Sequence, residues 1–214
     1  MASSLDKIRK KFDEVPEAKL GFVVYRCTYE DDEAWAHFIS FLTAQTLARI
    51  ENSPFAGLGA RLDWNIQEDK EKLDNASYET VRDEFRKWTK DGKEVSLGLP
   101  RHTACVAVDK YSVDSVRRWK GGIDEYDFHG FTWVYLISIR DEGPSLWEQG
   151  HMDEEEQAEQ DKKTEAELEA EAEEETDNIS KMRVGISYLF PRTFGLVQNH
   201  GWCRISHPFH VVTK

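Results

Sequence analysis

A chain of 214 residues can build one hydrophobic core of ordinary size without covalent staples. Only 39% of residues are hydrophobic and 32% are charged, and one stretch accounts for both figures: residues 151–179 carry 14 Asp+Glu against Lys162 and Lys163, and so hold −12 of the chain's −13. The remainder is close to neutral, which argues against a nucleic-acid-binding surface, and no window reaches the roughly 18 consecutive apolar residues of a membrane span.

In chain order, residues 1–19 are polar and charged and read as an N-terminal arm or short helix ahead of a domain over 20–214. Leu20 to Tyr29 is a nearly continuous apolar run with β-branched and aromatic residues, the pattern of a central strand. Asp31 and Asp32 supply capping carboxylates for a helix whose apolar residues, Trp35, Phe38, Ile39, Leu42 and Leu47, recur at helical spacing. Ala60 to Ile66 reads as a short strand or loop. Ser77 opens a second amphipathic helix with the stripe Tyr78, Val81, Phe85 and Trp88, stopped at Gly92. His102 to Lys110 reads as a strand, Ser112 as the cap of a short helix, and Phe131 to Arg140 as the strongest strand of the chain. After the acidic stretch, Arg183 to Phe190 reads as a strand, Pro191 to Gln198 as a helical turn, and Trp202 to Ile205 as a last strand. Strands with short connections and two long helices point to an α+β fold. The expected architecture is a mixed or antiparallel sheet with helices on one face, ferredoxin-like, interrupted by the acidic insertion 151–179.

That insertion has almost nothing to bury: Leu168 and Met152 are its only sizeable apolar residues before Ile179. It reads as a solvated linker between two strands, with capture of a basic partner as its functional alternative.

The C-terminal string holds His200, Cys203, His207 and His210, all possible zinc ligands. Its spacing does not match a standard finger, and on a strand His200 would point away from Cys203 and His207. No cofactor is expected, with zinc at this cluster as a secondary reading. The odd cysteine count, Cys27, Cys105 and Cys203, fits reduced thiols in the cytoplasm or nucleus rather than a disulfide framework. Walker A and GxGxxG motifs are absent.

Residues 22–42, FVVYRCTYEDDEAWAHFISFL, resemble the opening of a large group of uncharacterised proteins from filamentous ascomycete fungi. The shared features are a strand ending in Tyr25-Arg26-Cys27-Thr28-Tyr29, the acids Asp31 and Asp32, and Trp35 on the first helix. Residues 184–197, VGISYLFPRTFGLV, resemble that group's C-terminal strand, proline and short helix. The resemblance implies a fungal intracellular protein and no particular activity. An arginine inside a central strand needs a carboxylate or carbonyl partner. Asp32 or Asp63 would supply an ion pair for Arg26, while an anion site built from Arg26, Tyr25, Trp35 and Asp32 is the functional alternative. The missing catalytic signature, the neutral aromatic-rich fold and the acidic stretch together favour a non-enzymatic, protein-binding or regulatory module. A small-molecule-binding protein or enzyme with an aromatic-lined pocket is the competing reading.

Overall fold

The computed structural model describes residues 4–92, 94, 98–140, 181–200 and 202. Five strands form one open mixed sheet in the order β2-β1-β3-β4-β5. They are β1 (Val23–Arg26), β2 (Asn65–Gln67), β3 (Ala104–Val108), β4 (Trp133–Ser138) and β5 (Lys181–Gly185). β1 lies between β2 and β3 and is parallel to both, whereas β4 is antiparallel to β3 and β5 antiparallel to β4. The fold is α+β, as the sequence implies.

The helices do not share one face, and the ferredoxin-like arrangement is not the one adopted. Parallel neighbours need crossover connections, and here successive crossovers cover opposite faces of the sheet. The first, α2 (Asp32–Glu51), joins β1 to β2 and packs with Val24, Val106 and Leu136. The second, α3 (Lys70–Leu73) and α4 (Tyr78–Lys90), joins β2 to β3 and packs with Val23, Tyr25, Cys105 and Ile137. α5 (Lys110–Arg118) returns to the α2 side. Every residue of β1 and β3 is therefore buried, which is why these strands read as unbroken apolar runs.

Local chemistry sets the helix starts. The Asp31 side chain accepts from Ala34 N–H at the head of α2, Ser77 from Thr80 N–H at α4, and Asp109 from Ser112 N–H at α5. The cap of α5 is thus Asp109, and Ser112 is an interior residue, because the earlier aspartate captures the free N–H first. Leu47 points outward, while Gln45, Thr46 and Arg49 are buried.

The N-terminal segment is not a free arm. It folds as α1 (Ser4–Glu14), with Ile8 and Phe12 fully buried and the Phe12 ring edge-on to Phe55 at 6.2 Å. Residues 59–61 form a 3₁₀ turn before β2. The strand expected over 183–190 stops at Gly185; a helical turn at Ile186–Tyr188 and a stretch kinked at Phe190 lead into α6 (Phe194–His200). Phe190 and Phe194 turn inward to Phe22 and Phe55. The acidic stretch 151–179, the C-terminal strand expected after Trp202, and Cys203, His207 and His210 lie outside the described residues. No helix among the described residues is long and apolar enough to cross a membrane.

Candidate functional site

Three parallel strands end on one edge of the sheet, the position where α/β-type folds gather binding groups. Arg26, the last residue of β1, turns toward α2 with Val24 rather than toward α4. Its Nε donates to the Thr28 carbonyl at 2.8 Å, and its two terminal nitrogens reach Asp32 and, at 3.5 Å, Glu68. The guanidinium lies over Tyr29 at 4.4 Å and over Trp35 at 5.1 Å. Arg26 is buried, while the Asp32 side chain is 87% exposed. Each of its three nitrogens has an acceptor, and two carboxylates face one cation. The geometry is that of a clasp tying β1, the head of α2 and the end of β2 together. It brings together Arg26, Trp35 and Asp32 of the sequence-derived anion site, whereas Tyr25 faces the other side of the sheet. Asp63 pairs instead with Arg101 at 2.6 Å.

A second arrangement was not visible in the sequence. Among the described residues, the exposed large hydrophobics are concentrated in one segment: Tyr111, Ile123, Tyr126, Phe128 and Phe131, with Phe128 and Phe131 each 64% exposed. Single exposed apolar side chains are ordinary, but clustered ones are not. The loop carrying the last four of them is pinned from below by buried polar groups. Arg49 donates to the Glu125 carbonyl at 2.8 Å, Gln45 donates to the same carbonyl at 3.2 Å, and the Arg49 guanidinium lies 3.6 Å from the Tyr126 ring centroid. Buried Asp127 accepts from both the N–H and the hydroxyl of Thr132, and its own N–H donates to the Ser187 hydroxyl. That hydroxyl donates in turn to Gln45. Tyr126 also packs on Phe128 and Tyr188, each at 5.7 Å between ring centroids. Beside the loop, a depression of about 430 Å³ is lined by Ser115, Arg118, Trp119, Lys120, Gly121 and Phe131. Arg118 and Lys120 form no ion pair among the described residues.

A third feature lies beneath α4. A cavity of about 280 Å³ is lined by Tyr25, Gln67, Leu73 and Trp88, by the acids Glu68, Asp69, Glu84 and Asp91, and by Lys72 and Lys87. Tyr25 is 2% exposed, and its hydroxyl has no hydrogen-bond partner among the described residues. Burial, followed by the charges of Cys105 and Glu84, pushes its phenol well above the usual tyrosine range, so the proton stays on oxygen at neutral pH. Burial likewise pushes the Cys27 thiol up to about 12 and that of Cys105 well above the ordinary thiol range, so neither is a thiolate at neutral pH.

No protein-family model, no curated protein and no solved structure matches this chain. The geometry therefore stands alone. Among the described residues no group of three or more His, Cys, Asp or Glu is disposed to hold a metal ion, and three of the four possible C-terminal ligands are not among them. The aromatic loop escaped sequence reading because Gly121, Gly122 and Gly130 mark it as a plain connection. The available signal was the recurrence of Tyr126, Phe128 and Phe131 in a segment otherwise composed of glycine, acid and histidine.

Proposed function

We propose that this protein is a non-enzymatic protein-binding module, with the aromatic loop and the adjoining end of α5 as its contact surface and the acidic stretch 151–179 steering a basic partner toward it. One observation carries this reading: exposed Phe128 and Phe131 sit on a loop held by a buried polar network. Loops fixed on a rigid scaffold carry binding residues disproportionately, and rigid aromatic anchors lose little conformational entropy on association. The exposed charges of residues 117–127 nearly cancel, Arg117, Arg118 and Lys120 standing against Asp124 and Glu125. Affinity would come from aromatic burial, and association rate from the field of the acidic stretch.

The test is the double substitution Phe128→Ser with Phe131→Ser. Both side chains are exposed, so thermal unfolding is expected to stay within a few degrees of the parent. A partner co-purifying with the parent protein from its source is expected to be lost. Retention of that partner by the double variant would place the contact elsewhere.

A further inference from the structure

The cavity beneath α4 is unrelated to the aromatic loop: it lies on the face of the sheet opposite α2 and α5. Its lining is unbalanced in charge. Lys72 pairs with Asp69 at 3.0 Å and Lys87 with Glu84 at 2.7 Å. Of the remaining acids, Glu68 shares only the edge of the Arg26 clasp, at 3.5 Å, and Asp91 has no ion-pair partner among the described residues. The lining is mostly polar, with its apolar part supplied by Leu73, Trp88 and the Tyr25 ring. Leu73 and Trp88 are buried, and Trp88 is held by stacking on Phe85, with ring centroids 6.0 Å apart and planes at 16°. Tyr25, 2% exposed as a residue, lines the cavity and its hydroxyl has no hydrogen-bond partner among the described residues.

We propose that this cavity is a binding site for a small organic cation, a primary ammonium on a compact apolar body. The ammonium takes Asp91 and Glu68, the apolar body lies against Trp88 and Leu73, and the Tyr25 hydroxyl gains the hydrogen bond it lacks. An anion is disfavoured because both lysines are already neutralised by carboxylates and two further acids remain. The volume, about 280 Å³, lies just below the usual span of ligand sites, roughly 300 to 1,000 Å³. A monoamine with one ring fits that size, and a nucleotide does not.

The test uses the full chain, phenethylamine as the cationic probe and phenethyl alcohol as its neutral counterpart, with affinity read by titration calorimetry. Phenethylamine is expected to bind about tenfold more tightly than the alcohol, the difference made by one charge-assisted hydrogen bond. Asp91→Asn is expected to remove about that same factor, and Tyr25→Phe to weaken binding about threefold to tenfold. Both substitutions keep side-chain shape, and an unchanged unfolding midpoint confirms that each variant is folded. Equal binding of the two probes, no binding of either at ten-millimolar probe, or full affinity in both variants would overturn the assignment. Because Phe128 and Phe131 lie on the other face, loss of the protein partner in their double variant leaves this result unaffected, and the two ideas fail separately.

Discussion

Arg26 shows how a charge can sit in a central strand. Its guanidinium is flanked by two rings and meets three oxygens in different directions, a pattern that a planar fork satisfies and an ammonium does not. Arg26→Lys is therefore expected to destabilise the protein almost as much as Arg26→Met, by about 2–3 kcal/mol in a urea titration, from lost hydrogen bonds and stacking. Asp32→Asn should cost under ~1 kcal/mol, because that side chain is largely in water. A lysine variant as stable as the parent would show that charge alone matters there. Two other residues set the acid limit. Burial holds the His102 imidazole below its usual range, and its two ring nitrogens are buried without a partner. The hydrogen bond from Arg101 holds the Glu94 carboxyl below the usual carboxylate range. In both cases the unfolded chain takes up a proton first as pH falls. Stability is then complete above the usual value for each group and declines below it, first through the imidazole range and then through the carboxylate range. His102→Phe is expected to erase the first decline and Glu94→Gln the second, read as unfolding midpoint against pH.

At the scale of elements, α1 is a structural component rather than an appendage. Phe12 and Ile8 fill the space between Phe55 and α6, and Arg61 donates to the Phe12 carbonyl at 2.6 Å. Phe12→Ala is expected to cost about 3–5 kcal/mol, the range for emptying a buried aromatic site, measured by denaturant unfolding. A cost under about 1 kcal/mol would mean that α1 is dispensable. What the sequence revealed and what it hid follow one physical division. Asp31 and Ser77 were legible because a cap is a bond between residues three apart. β1 and β3 were legible because a strand buried on both faces must be apolar throughout. The inward turn of Gln45, Thr46 and Arg49 was hidden, since helical periodicity assigns polar residues to water. The Glu125 carbonyl and the Ser187 hydroxyl, both distant in sequence, supply partners to Gln45 and the Glu125 carbonyl one to Arg49, while the Thr46 hydroxyl is buried without one. The two-faced layering was hidden for the same reason: it depends on which strands pair, not on any segment's composition. At the strand-end cluster the acid pairing of Arg26 was legible, and so in principle was the separation of Tyr25, because neighbours along a strand face opposite sides.

For the whole molecule, β4 and β5 pair antiparallel on either side of residues 141–180 in the chain. Ile137 faces Lys181 across the two strands, so the chain leaves and re-enters the sheet at one point. Deletion of residues 153–177 is expected to leave the folded state intact, and to raise stability by on the order of 0.5–1 kcal/mol through the shorter loop to be closed. Loss of cooperative unfolding on deletion would contradict this. The same deletion should slow association with a basic partner at low salt and matter little at high salt. The central claim, that the aromatic loop is where another protein docks, is tested most directly by a photo-crosslinking residue at position 128 in the full chain, exposed to extract of its source. A control carries the crosslinker at position 90, on α4. One discrete adduct is expected at position 128, abolished by Phe131→Ser and absent at position 90. Equal labelling at both positions, or no adduct at 128, would contradict the account.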